Sequence, residues 1–96
     1  MARGEMLTVF SYDISSNKSR RKAAKLLEDA ASRVQKSVFE TRMTEQRALA
    51  VAQRVSALLG SGDSLRVYTL GQAGERRSRV YGDATPIEPD GGYWLF

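Results

Sequence analysis

Ninety-six residues suffice for one domain and not for two, and an apolar content of 42% with 27% charged residues suits a folded body better than a disordered chain. With no cysteine and no histidine, disulfides, thiolate zinc sites and imidazole bases are excluded, so any chemistry rests on carboxylates, hydroxyls, lysines or a bound hard metal. Fifteen Lys and Arg against eleven Asp and Glu leave a net charge of +4, which favours polyanionic partners.

The chain opens with an apolar run at residues 6–10, too short for a signal peptide or a membrane span, and a cytoplasmic location is expected. Residues 6–12 alternate as a strand, with Leu7 and Val9 pointing one way and Phe10 and Tyr12 the other; it ends at Asp13. Ser15, Ser16 and Asn17 offer N-cap side chains to a helix reaching about Ala31, whose apolar positions are Ala23, Ala24, Leu27, Ala30 and Ala31. Residues 33–43 are rich in β-formers and predict one bent strand or a tight hairpin, with the break near Lys36. Thr44 caps a second helix whose stripe, Ala48, Val51, Ala52, Val55, Leu58 and Leu59, ends at Gly60. Residues 64–70 form a half-buried strand, with Leu65 and Val67 alternating against Arg66 and Tyr68.

The order β, α, β(β), α, β places two helices on one face of a small antiparallel sheet, an α+β fold of ferredoxin-like arrangement. Beyond it, residues 79–81 predict a short strand and residues 82–92 a Pro, Gly and Asp-rich connection. The last four residues, Tyr93, Trp94, Leu95 and Phe96, are too apolar to be left in water; they either complete this sheet or add to the edge of another subunit.

Three groups of residues could carry chemistry. Asp13, at the end of a strand and before a helix, is a place for a hard divalent ion, or else simply caps the turn. A dimer axis could bring two copies of Asp13 together around one Mg²⁺. The second group is the start of the first helix, where Lys18, Arg21, Lys22 and Lys25 share one face as phosphate contacts or as a solvated surface. Arg20 falls instead on the side of Ala23, Leu27 and Ala31, where it needs an anionic partner such as Asp13 or a phosphate. The third group is Arg76, Arg77 and Arg79, expected near a surface turn as phosphate-binding or solubilising cations. The aromatic residues sit in predicted strands, which favours packing over base stacking, and no glycine pattern makes a nucleotide phosphate loop.

Two segments, Ser11-Tyr12-Asp13-Ile14-Ser15 and Arg33-Val34-Gln35-Lys36-Ser37-Val38-Phe39-Glu40, resemble the YDIS and RVQxSVFE signatures of the CRISPR-associated Cas-two family, and the likeness runs over nearly the whole chain from Met6. The resemblance implies a single ferredoxin-like domain over residues 1–96 that works as a homodimer, with residues 82–96 as a tail exchanged between subunits. It implies Mg²⁺ shared by two Asp13 carboxylates, and Tyr12, Asp13, Arg20, Arg33 and Phe39 as the residues used at or near a catalytic site. Lys22 stands where some relatives carry a second arginine, which removes a bidentate phosphate fork from that position.

The function implied is spacer acquisition, with double-stranded DNA held for the Cas-one integrase by backbone contacts and without base readout. A Mg²⁺-dependent endonuclease acting on RNA or DNA is the alternative, and a toxin-like RNA interferase of the same fold is a third.

Overall fold

The computed structural model describes residues 4–71, 74 and 76–83. In chain order they form β1 (Glu5–Asp13), α1 (Asn17–Ala30), β2 (Ser32–Gln35), β3 (Val38–Thr44), α2 (Glu45–Ser56), β4 (Ser64–Leu70) and β5 (Arg76–Gly82). The five strands make one sheet in the order β2-β3-β1-β4-β5, and every pairing is antiparallel. This is the expected ferredoxin-like fold with one strand added beside β4. No helix among the described residues is long and apolar enough to cross a membrane.

Alternation on β1 decides which side of the sheet the helices cover. Phe10 pairs with Phe39 on β3 and Val67 on β4, and Tyr12 pairs with Leu65, so large side chains from three strands meet on one face. Against them pack Ala23 and Leu27 of α1 and Ala48, Ala52 and Val55 of α2. Alanines on both helices let the helix backbones approach the sheet, while each fully buried Leu, Val or Phe contributes about 1.5–3 kcal/mol. Leu7, Val9, Asp13, Glu40, Arg42, Arg66, Tyr68 and Val80 alternate onto the opposite, helix-free face.

The caps are those expected. Ser16 Oγ accepts the N–H of Ser19 at 3.2 Å, and Thr44 Oγ1 accepts that of Arg47 at 3.2 Å. The break near Lys36 is a two-residue turn between β2 and β3, with a bulge at Val34.

Two boundaries differ from expectation. Helix α2 stops at Ser56, not at Gly60, because Leu58 and Leu59 bond back three residues, to Val55 and Ser56, and so tighten out of the α-helix. The last described strand is longer than residues 79–81 and begins at Arg76. Pairing against the whole of β4, from Leu70↔Arg76 to Ser64↔Gly82, satisfies backbone groups that a free edge would leave open. Arg76, Arg77 and Arg79 therefore sit on a strand, whose start follows the turn closed by the Gly74 N–H on the Gly71 carbonyl, near a turn as expected. The proposed connection beyond Asp83 and the four terminal apolar residues lie outside the described residues.

Candidate nucleic-acid and metal site

Asp13 is the last residue of β1, exposed at the rim of the sheet, and no hydrogen bond or ion pair engages its carboxylate among the described residues. Beside it the start of α1 and the β2–β3 turn form an open concavity lined by Tyr12, Asp13, Arg20, Arg21, Arg33 and Lys36. One carboxylate stands among four cations. Such a rim attracts a phosphodiester while leaving one hard anionic ligand free.

Arg20 is exposed, and its guanidinium has a different partner from the one expected. It donates to the carbonyls of Ile14 at 3.0 Å and Ser15 at 3.4 Å, and to Asn17 Oδ1. The tight loop between β1 and α1 turns its carbonyls toward the first turn of the helix, so Arg20 braces the segment after Asp13 without pairing with Asp13.

Arg33 and Phe39 are cross-strand partners. The Arg33 guanidinium lies 5.1 Å from the Phe39 ring centroid, and Phe39 in turn stacks on Tyr12 at 6.3 Å with 22° between the rings. Phe39 is fully buried and Tyr12 nearly so. These two rings are the floor that holds Arg33 at the rim, where Glu28 also reaches it at 3.5 Å.

Asp63, absent from the three groups read from the sequence, fixes the same loop from the other side. Its Oδ1 accepts the N–H of Ser15 at 3.0 Å and its Oδ2 that of Gly60 at 2.8 Å. The Gly60 N–H first, then that of Ser15, hold its carboxyl below the usual carboxylate range. Lys36 enters the sequence reading only as a break point, and the turn it makes carries its side chain to the wall of the concavity. An acidic residue after a Gly-Ser-Gly turn is the one available signal for Asp63; for Lys36 there is none.

The remaining cations separate. Lys18, Lys22 and Lys25 are exposed on α1 near the concavity but do not line it. Arg76, Arg77 and Arg79 stand on β5, at the far edge of the sheet from β2. They also divide by alternation, Arg76 to the helix-free face and Arg77 and Arg79 to the helix side, where Glu45 binds both at 3.1 and 3.6 Å.

Comparison with known proteins bears on this arrangement. The family model for CRISPR associated protein Cas2 matches residues 6–78. A Synechocystis sp. protein named CRISPR-associated endoribonuclease Cas2 2 is 38% identical over 80 residues, covering 81% of this chain and 86% of its own. CRISPR-associated endoribonuclease Cas2 1 of Chloroflexus aurantiacus is 36% identical over 85 residues, covering 86% and 91%. The crystal structure of Streptococcus pyogenes Cas2 is similar with a TM-score of 0.62 at 33% identity, over 70% of this chain and 88% of that one.

Proposed function

The chain belongs to the Cas2 family and has a CRISPR-associated role, and from that premise we propose that it binds double-stranded DNA as a homodimer and scaffolds the Cas-one integrase complex during spacer acquisition. The observation that carries the reading is the rim of Arg20, Arg21, Arg33 and Lys36 at the mouth of the Asp13 concavity. Helix α1 adds to it. Its first turn has no acidic residue, and Lys18, Arg20, Arg21 and Lys22 crowd the positive end of its dipole. Like charges there disfavour the isolated helix, and a phosphate backbone laid across them reverses the sign. Cations gathered at one rim suit the phosphate backbone, so positioning by phosphates is the mode supported.

The second copy fits the helix-free face. Leu7, Val38 and Val80 are only partly buried there and Leu70 is exposed, an apolar display that a solvent-facing sheet does not need. A two-fold axis near the end of β1 sets one Asp13 from each copy at the seam. Because β5 pairs with its own β4 as far as Gly82, any exchange of the 82–96 tail starts beyond that strand.

A Mg²⁺ ion takes one or two carboxylates and keeps water or phosphate oxygens elsewhere, which the free, exposed Asp13 suits. Each copy offers one such ligand, and the described residues contain no cluster of three acidic groups. The two Asp13 carboxylates would hold the ion, which when bound polarises a phosphate and activates water. Arg33 and Lys36 bind the phosphodiester, Tyr12 and Phe39 hold Arg33 in place, and Arg20 keeps the loop after Asp13 from shifting. This second reading, an endonuclease, is favoured by the free state of Asp13 and by relatives named endoribonucleases.

Reconstituted integration with the Cas-one integrase separates the two readings. At protein concentrations that keep the dimer assembled, Asp13→Ala should keep duplex binding and spacer integration while abolishing any Mg²⁺-dependent cleavage. Reversing Arg21, Arg33 and Lys36 to Glu should abolish integration, and integration that survives the reversal overturns the scaffold reading.

A further inference from the structure

Arg66 stands on the helix-free face of β4, between Ser11 of β1 and Val80 of β5. The residue is partly buried, and its Nη1 is shut off from solvent with no hydrogen-bond partner. A guanidinium nitrogen enclosed without an acceptor loses its hydration and gains nothing in exchange. A carboxylate lies close by: Asp13 pairs with Ser64, so Arg66 is its diagonal neighbour on the same face, about 7 Å away. The two form no ion pair within the chain, and both remain unmatched among the described residues.

Resting on the homodimer reading above, we propose that Arg66 is the cationic counterpart of Asp13 across the seam between two copies, the guanidinium of each donating to the Asp13 carboxylate of the other. A two-fold interface must be complementary to itself, and an acid beside a base on one face meets that requirement. Swinging the Arg66 fork away from the sheet toward the facing copy frees Nη1 and gives it an acceptor. Two guanidinium groups then alternate with two carboxylates, so paired Asp13 side chains can meet at the seam without repelling one another when no metal is bound. A phosphate is the less suitable occupant, because Asp13 beside Arg66 repels an anion at that spot.

Dilution series of the full chain by analytical ultracentrifugation, with EDTA present, test the proposal. The wild type should dimerise; a monomer throughout would remove the homodimer reading, and this inference with it. Given a dimer, Arg66→Gln and Asp13→Asn should each raise its dissociation constant about tenfold, and the double variant should add little to either. Asp13 is exposed, so Asp13→Asn tests the idea even if Arg66→Gln folds poorly, and Arg66→Lys, which keeps the charge, should lose less than Arg66→Gln. Tighter association of Asp13→Asn would mean that the facing carboxylates repel unneutralised, and would sink the proposal while leaving the dimer. So would an unchanged dimer constant for folded Arg66→Gln, including the case in which only its affinity for a DNA duplex falls.

Discussion

The carboxylate of Asp63 accepts the backbone N–H of Ser15 at 3.0 Å, joining residues 48 positions apart in the chain. The turn that carries Asp63 also holds the end of β5: the Asp63 carbonyl accepts the N–H of Asp83 at 2.9 Å, and Asp83 Oδ2 accepts that of Gly62 at 2.7 Å. The loop after Asp13 and the end of β5 are thus anchored to one turn between α2 and β4.

Asp63→Asn should lower the urea midpoint at neutral pH. The folded-state pKa of Asp63 is depressed, so its contribution is complete above the unfolded-state value and fades as pH falls through the lower, folded one. The gap between wild type and variant should therefore narrow in acid. A gap of constant size from pH 7 to about pH 3 would show that charge on Asp63 is not what holds Ser15 and Gly60.

Gly82 and Gly62 offer a matched pair. Both have positive φ, +87° and +82°, but a Cβ on Gly82 would collide with the Asp63 carbonyl oxygen, whereas nothing lies within 4 Å of one on Gly62. Gly62→Ala should cost about 1 kcal/mol, the backbone penalty alone. Gly82→Ala should cost at least about 1 kcal/mol more, because a backbone atom cannot move aside. Equal costs in chemical denaturation would mean that the close approach is relieved without strain.

Phe39 and Arg33 should separate stability from binding. Phe39→Ala removes a fully buried ring and should cost about 3–5 kcal/mol. Arg33→Ala removes a side chain 45% exposed and an exposed ion pair with Glu28, and should cost under about 1 kcal/mol while weakening duplex binding. Releasing Arg33 through Glu28→Gln should strengthen that binding. Gel-shift titrations on folded variants check both directions.

The salt dependence of duplex binding counts the cations in contact. Changing Lys18, Arg21, Lys22 or Lys25 to Gln should each lower the slope of log K against log salt by about 1 where that residue meets a phosphate. Glu45→Gln frees Arg77 and Arg79 and should raise affinity with little loss of stability. Unchanged affinity would place the helix-side arginines of β5 away from the duplex.

Most of the secondary structure is legible in the sequence because its causes are local. The alternation of residues 6–12, the caps Ser16 and Thr44 and the break at Lys36 depend on neighbours within a few positions. Boundaries shift where a distant partner intervenes, as when pairing with β4 extends the strand expected at residues 79–81 back to Arg76. Arg20 is recognisable as needing a partner, but helical geometry alone does not show that the carbonyls of Ile14 and Ser15 fill that need.

From the amino-acid order alone came the ferredoxin-like element order, the basic character, the exclusion of thiol and imidazole chemistry and the prominence of Asp13. Sheet order and strand register decided the rest: Lys36 and Asp13 on one concavity, Arg33 over Phe39, Arg66 diagonal to Asp13, and the arginines of β5 divided between two faces. Periodicity and caps act within a turn or two of chain, whereas a meeting of side chains across strands exists only once distant segments have paired.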